Sequence, residues 1–271
     1  MKALVTGGGG FLASALIRAL HARGDKIIAF QRGDYPHLKR LGVKCVTPAK
    51  IDFDSQHVWI EELTKAMHGC DVVFHTAAKA GVWGRYPDYE NANEVYTQGV
   101  IRACLWAGVK KLVFTSSPSV VYSGRDEENV NESAPYPATF LAHYPRTKAF
   151  AEQRVLKAND EHLATVALRP HLIWGPGDTN LVPRILDRAR RGKLKIVGDG
   201  AKLVDSTYID NAVYAHLLAA ERLALTPLPR REGSTNQPSL SPPPFASPSC
   251  AGKAYFISNG EPLPMADLIN R

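Results

Sequence analysis

Tyr144 and Lys148 stand four residues apart in Tyr144-Pro145-Arg146-Thr147-Lys148, a spacing that on a helix puts a phenol and an ammonium on one face. A nearby cation favours phenolate and draws a tyrosine down from about 10, so the pair can exchange a proton with an alcohol near neutral pH. Upstream, an apolar run over 111–115 ends in Ser116-Ser117-Pro118-Ser119. One of these serine hydroxyls can supply a hydrogen bond to the same substrate oxygen. Tyr35-Pro36-His37-Leu38-Lys39 repeats the tyrosine–lysine spacing, but it follows the second apolar run and no hydroxyl-bearing strand precedes it. Position selects Tyr144.

The chain opens on a candidate for holding a dinucleotide. Lys2-Ala3-Leu4-Val5-Thr6 runs into Gly7-Gly8-Gly9-Gly10 and then Phe11-Leu12-Ala13 at helical spacing. A strand that turns through glycine into a helix offers free backbone N–H groups and the positive end of the helix dipole to a phosphate. Gly7 and Gly10 allow the tight turn, and Ala13 fills the third small position of the dinucleotide fingerprint. The second apolar run ends in Phe30-Gln31-Arg32-Gly33. No carboxylate stands where NAD is usually held by its ribose, and Arg32 has the planar fork that suits a phosphate. NADP(H) is expected, with NAD(H) as the alternative.

The elements that must position these groups follow from the spacing of apolar residues. Short runs rich in Val, Ile and Phe cover 3–6, 26–30, 44–47, 71–75, 111–115 and 163–168, alternating with helical patterns at 11–22, 58–67, 89–106 and 142–158. Nearly all-apolar strands between helices predict a parallel sheet buried on both faces, an α/β doubly wound domain that binds ligands outside the carboxyl ends of its strands. That dinucleotide-binding domain is assigned to 1–168. Residues 169–271 read as a smaller substrate lobe, with helices near 182–191 and 212–220 and a returning strand near 254–258. A Pro/Ser-rich stretch, 227–251, interrupts the lobe and is expected to be a disordered linker.

Composition narrows the class further. With 271 residues, 45% hydrophobic and 22% charged, the chain is expected to be globular and soluble. Its four cysteines are scattered without a Cys-x-x-Cys pair, which suggests neither a zinc site nor a disulfide framework. Because Met1 leads straight into the first strand and no apolar stretch reaches spanning length, a cytoplasmic protein without a membrane span is expected. The net charge of +7 comes from dispersed basic residues without interleaved aromatics, which argues against nucleic acid and suits an anionic cofactor or a carboxylate substrate.

Thr6-Gly7-x-x-Gly10-x-x-Ala13, His75-Thr76-Ala77-Ala78, Thr115-Ser116-Ser117, Tyr144-x-x-x-Lys148 and Arg169-Pro170, in that order, resemble the extended short-chain dehydrogenase/reductases, the epimerase/dehydratase-like group. Ala80-Gly81-Val82-Trp83-Gly84, Tyr136-Pro137 and Leu168-Arg169-Pro170-His171-Leu172-Ile173-Trp174-Gly175-Pro176-Gly177-Asp178 are similar to its 3β-hydroxysteroid dehydrogenase branch. That branch includes sterol 4α-carboxylate 3-dehydrogenases and 2-alkyl-3-oxoalkanoate reductases, the latter the nearer likeness. The resemblance implies Tyr144 as acid/base, Lys148 as its tuner and a ribose contact, and Ser117 on the substrate oxygen. It also implies a cofactor path along Gly7, Gly10, Phe11, Leu12, Arg32, Asp52, Phe53, Ala77, Ala78, Asn93 and Pro170. Tyr96 and Gly99 depart from the usual glycine and asparagine of the group. Family members continue beyond the equivalent of Arg271, so the substrate lobe is expected to be shortened.

The implied reaction is hydride transfer at a carbon β to a carboxylate on a bulky apolar molecule, a 2-alkyl-3-oxoalkanoate or a 3β-hydroxysteroid. Trp83, Tyr86, Trp174 and Tyr208 are candidate apolar walls, with Arg85, His171 or Lys202 as candidate carboxylate partners. Two other readings compete: a nucleotide-sugar epimerase or dehydratase, and a non-catalytic NAD(P)-binding regulatory protein. A homodimer through the two long helices is implied by resemblance alone.

Overall fold

The structure, a computed structural model, describes residues 1–48, 51–53, 56–81, 83–179, 181–196, 198–224 and 249–270. Its centre is a seven-stranded sheet built from β1 (Lys2–Thr6), β2 (Lys26–Phe30), β3 (Lys44–Val46), β4 (Val72–His75), β5 (Lys111–Thr115), β6 (Ala164–Pro170) and β10 (Lys253–Ile257). All pairings are parallel, in the order β10-β6-β5-β4-β1-β2-β3. Two short ribbons stand apart from it, β7 (Leu172–Trp174) beside β9 (Ser206–Tyr208), and β8 (Leu203–Val204) beside β11 (Leu263–Pro264). The helices are α1 (Phe11–Ala22), α2 (Pro36–Arg40), α3 (Gln56–Met67), α4 (Tyr86–Tyr89), α5 (Tyr96–Ala107), α6 (His143–Lys157), α7 (Leu181–Arg190), α8 (Ile209–Arg222) and α9 (Met265–Asn270).

Alternation along the strands explains the layers. Ala3 and Val5 of β1 join the core under α1 and α8, while Leu4 points into the other core with Trp59 and Leu63 of α3, Val100 of α5 and Val155 of α6. Both faces are therefore dry, the arrangement that calls for strands apolar on both sides. Topology reverses at β1, with β2 on one side and β4 on the other, which leaves a crevice at the carboxyl ends of these strands.

Most predicted elements appear within a residue or two, and the differences have local causes. The expected 89–106 helix is broken into α4, a π-helical turn over Glu90–Val95, and α5. That wider turn carries the buried Asn93, and such turns recur at functional positions. The 227–251 stretch lies outside the described residues up to 248. Its last residues depart from the disordered linker expected there: Cys250 is buried with its thiol against the Ala219 carbonyl, and Gly252 N–H donates to Thr165 O at 2.7 Å. Among the described residues no helix is long and apolar enough to cross a membrane.

Candidate active site

A single hydrogen-bonded chain ties the glycine loop to the helix that carries Tyr144. Thr6, the last residue of β1, accepts from Ala77 N–H at 3.3 Å and meets His75 Nδ1 at 2.8 Å. His75 Nε2 meets Thr97 Oγ1 at 2.9 Å, and Thr97 donates to Asn93 O. Because the Thr97 proton is spent on Asn93, His75 must donate through Nε2 and accept through Nδ1. Asn93 Nδ2 then donates to Thr147 Oγ1 at 3.0 Å, and Thr147 donates to His143 O at 3.0 Å. Burial holds His75 neutral, at about 3. Every link is buried or half-buried, so each polar group depends on its neighbour for satisfaction.

At the end of β5 the three candidate catalytic groups converge. Ser117 lies near enough to the Tyr144 phenol to act on its acidity, and its hydroxyl is engaged by Ser119, through a 2.8 Å contact with Ser119 Oγ and a 3.2 Å bond accepted from Ser119 N–H. Lys148, only 2% exposed, donates to Thr115 O at 2.7 Å and lies 4.0 Å from the centre of the Phe114 ring. Thr115 is held from the opposite layer, since its hydroxyl meets His216 Nε2 of α8 at 2.8 Å. Ser116 Oγ is buried without a hydrogen-bond partner among the described residues. The electrostatics differ from the simple expectation. Burial pushes the Tyr144 phenol up and the nearby Ser117 hydroxyl pulls it down, while burial brings Lys148 down to about 7. Desolvation opposes charge on both groups, and it is the larger influence here.

The glycine loop leads into a cavity of about 220 Å³ walled by Gly7, Gly10, Gln31, Arg32, Tyr35, Ile51, Phe53, Ala77, Ala78, Ala92 and Tyr96, among others. Gly7 is required twice over: its φ is +71°, and a Cβ there would sit 2.9 Å from Ala77 Cα. A Cβ on Gly9 would run into the Tyr35 ring, so the supposed decoy tyrosine packs on the loop, while its Lys39 pairs with Asp34 at 2.8 Å. Gln31, immediately after β2, is 3% exposed, and neither Oε1 nor Nε2 has a partner among the described residues. A buried amide with both polar atoms unmatched, facing a glycine-walled cavity with an arginine beside it, fits the ribose end of a dinucleotide.

Of the residues proposed for the cofactor path, Gly7, Gly10, Arg32, Phe53, Ala77 and Ala78 wall this cavity; Phe11, Leu12, Asp52, Asn93, Tyr144, Lys148 and Pro170 do not. Asn93 instead spends its side chain on the Lys79 main chain, at 2.7 and 3.1 Å, and on Thr147. Asp52 lends its carbonyl to Trp59 Nε1 at 3.0 Å. Pro170 ends β6 opposite Ile257. Among the candidate substrate contacts, Lys202 pairs with both Asp126 oxygens, at 2.7 and 2.8 Å. Trp83 is 90% exposed, and Trp174 and Tyr208 meet edge to face on the β7–β9 ribbon, 5.1 Å apart. Sequence reasoning missed Gln31, although its position in place of the usual carboxylate was legible. It also missed Tyr35 and Tyr96, whose roles depend on contacts between distant segments.

Fold and site together define a doubly wound dinucleotide-binding protein with a serine, a tyrosine and a lysine gathered at the carboxyl edge of its sheet. The profile of the 3-beta hydroxysteroid dehydrogenase/isomerase family matches residues 4–271, and the chain belongs to that family. It is 49% identical to a 2-alkyl-3-oxoalkanoate reductase of Stenotrophomonas maltophilia over 100% of this chain and 74% of that protein. Identity to the Shewanella oneidensis protein of the same name is 47%, over 99% of this chain and 64% of the other. The human sterol-4-alpha-carboxylate 3-dehydrogenase, decarboxylating, is 34% identical over 100% of this chain and 65% of its own length. The chain thus spans about two thirds of the latter two relatives. Among solved structures, MoeE5 in complex with UDP-glucuronic acid and NAD superposes with a TM-score of 0.73 at 28% identity, covering 100% of this chain and 80% of that one. A Bacillus cereus UDP-glucuronic acid 4-epimerase in complex with NAD gives 0.76 at 25% identity, covering 100% and 81%.

Proposed function

We propose that this chain is a nicotinamide-dependent oxidoreductase that interconverts a 3-keto and a 3-hydroxy group on a bulky apolar substrate of the 2-alkyl-3-oxoalkanoate type. The observation that carries the reading is the anchoring of Lys148, which shares a face of α6 with Tyr144, on the Thr115 carbonyl at 2.7 Å, where β5 ends just before Ser117, on the same sheet edge as the glycine-walled cavity. A bound nicotinamide supplies the hydride in the reducing direction. Tyr144 delivers the proton from its phenol oxygen to the substrate oxygen, and Ser117 orients that oxygen by hydrogen bonding. Lys148 places a positive charge on the same helix face, where it favours the phenolate that remains.

NADP(H) is the favoured cofactor because Arg32 walls the cavity and Gln31, not a carboxylate, follows β2. The 2-alkyl-3-oxoalkanoate reductases, at 49% and 47% identity, support the substrate class over a nucleotide sugar, since the epimerase-like neighbours agree with this chain chiefly in fold. The test is direct: purified protein with NADPH or NADH is offered a 2-alkyl-3-oxoacid, a 3-keto-steroid and a nucleotide sugar, and loss of reduced-nicotinamide absorbance is followed. Turnover of the oxoacid alone is the expected result. Turnover of the nucleotide sugar in its place would overturn the assignment.

A further inference from the structure

Two helical turns beyond Tyr144, and one beyond Lys148, α6 carries a carboxylate that the proposed chemistry does not use. Glu152 is 0% exposed. Arg169 of β6 grips it through Nη2 at 2.6 Å and through Nε at 3.1 and 3.2 Å, and the Tyr136 hydroxyl donates to it at 2.7 Å. The guanidinium is itself held against aromatic rings, 5.9 Å from Tyr136 and 5.2 Å from Phe256. Tyr144, Lys148 and Glu152 follow at intervals of four and so share one stripe of the helix.

A buried ion pair of this kind is not needed for stability, because apolar residues of similar volume often serve as well or better. What apolar residues cannot supply is a fixed negative charge one turn from a buried ammonium. Resting on the functional reading above, we infer that Glu152, clamped by Arg169 and Tyr136, is a positioning residue that keeps Lys148 charged and in place beside Tyr144.

Among the described residues, the groups around Lys148 leave Glu152 as its charged support. On α6 these are Tyr144 and Glu152. From β5 come the Thr115 carbonyl and the Phe114 ring. From β4 comes His75, which is neutral at working pH and which the lysine itself helps to keep so. Arg169, from β6, is spent on Glu152. Burial brings the lysine down to about 7, and Glu152 is the charge that raises it. That value holds with Glu152 in place, so loss of the carboxylate lowers the lysine further and leaves the amine mostly neutral at pH 7.

The experiment is an NMR titration of the full chain labelled at lysine 13Cε, with the Lys148 signal assigned by its loss in Lys148→Met. In Glu152→Gln, which keeps an acceptor for Tyr136 and Arg169, the Lys148 midpoint is expected to fall by about 1 unit, a tenfold change in its protonation ratio. Tyr136→Phe removes a hydrogen bond but no charge and is expected to leave the midpoint where it is. Should Glu152→Gln fail to fold, Glu152→Met combined with Arg169→Met removes both charges into an apolar pair and is expected to lower the midpoint in the same way. An unmoved midpoint in a folded variant lacking the carboxylate overturns the inference. The titration needs no substrate, so a failure to reduce any oxoacid would count against the functional reading and leave this result standing.

Discussion

At the scale of single residues, the decisive arrangement is Tyr144 and Lys148 on one face of α6, with Lys148 bonded to the Thr115 carbonyl two residues before Ser117. Tyr144→Phe keeps the ring and removes only the hydroxyl proposed to move the proton. Turnover should fall about 10²–10⁴-fold, the usual worth of a positioned acid/base, while fluorescence titration shows NADPH binding nearly as tightly as before. Full turnover in the variant would rule the mechanism out. Arg32 decides a separate question. It is exposed and walls the cavity next to Gln31, where its fork can meet an extra ribose phosphate. Arg32→Ala should raise KM for NADPH much more than for NADH, and equal changes for the two cofactors would remove the argument for NADP(H).

At the scale of elements, the two departures from the family pattern account for each other. Tyr96 stacks on the Trp59 indole, with ring centres 5.1 Å apart, and a Cβ on Gly99 would lie inside that indole. The glycine on α5 exists to admit the tryptophan of α3. Trp59 in turn holds the Asp52 carbonyl and packs edge to face on Phe53 at 6.3 Å, and Phe53 walls the cavity. Gly99→Ala should therefore cost about 1–3 kcal/mol by overpacking, read from urea unfolding, and should also weaken NAD(P)H binding because the Phe53 wall shifts. A variant with unchanged stability and affinity would break the proposed link from α5 to the cavity.

At the scale of the whole molecule, two buried histidines couple both layers of the fold to pH. His216 donates through Nδ1 to Ala212 O at 2.7 Å and accepts from Thr115 through Nε2; burial holds it at about 4 and His75 at about 3. Both are neutral when folded and bind protons near 6.5 when unfolded. Their contribution is complete above about 6.5 and shrinks as pH falls toward 4, because the unfolded chain then takes up protons that the folded one refuses. The shift of His216 alone corresponds to on the order of 3 kcal/mol. Thermal melts should show Tm dropping between pH 6.5 and 4, and replacing His216 by Asn should flatten part of that drop. A Tm indifferent to pH across this window would mean that the two rings are accessible to protons in the folded state.

Apolar runs, glycines and a four-residue spacing are local properties of a chain, and local geometry alone converts them into strands, a tight turn and a shared helix face. For that reason the sheet, its doubly wound class and the candidate groups Ser117, Tyr144 and Lys148 were legible in the sequence by itself. Which partner each polar group takes depends on segments far apart in the chain. The Thr6–His75–Thr97–Asn93–Thr147 chain, the Trp59 pillar beneath Phe53, the orphaned Gln31 amide and the Glu152–Arg169 clamp were decided only by tertiary structure. Burial is the physical reason: it removes water as the default partner, so the pairing of every buried polar group, and the pKa that follows from it, is set by whatever the fold brings alongside.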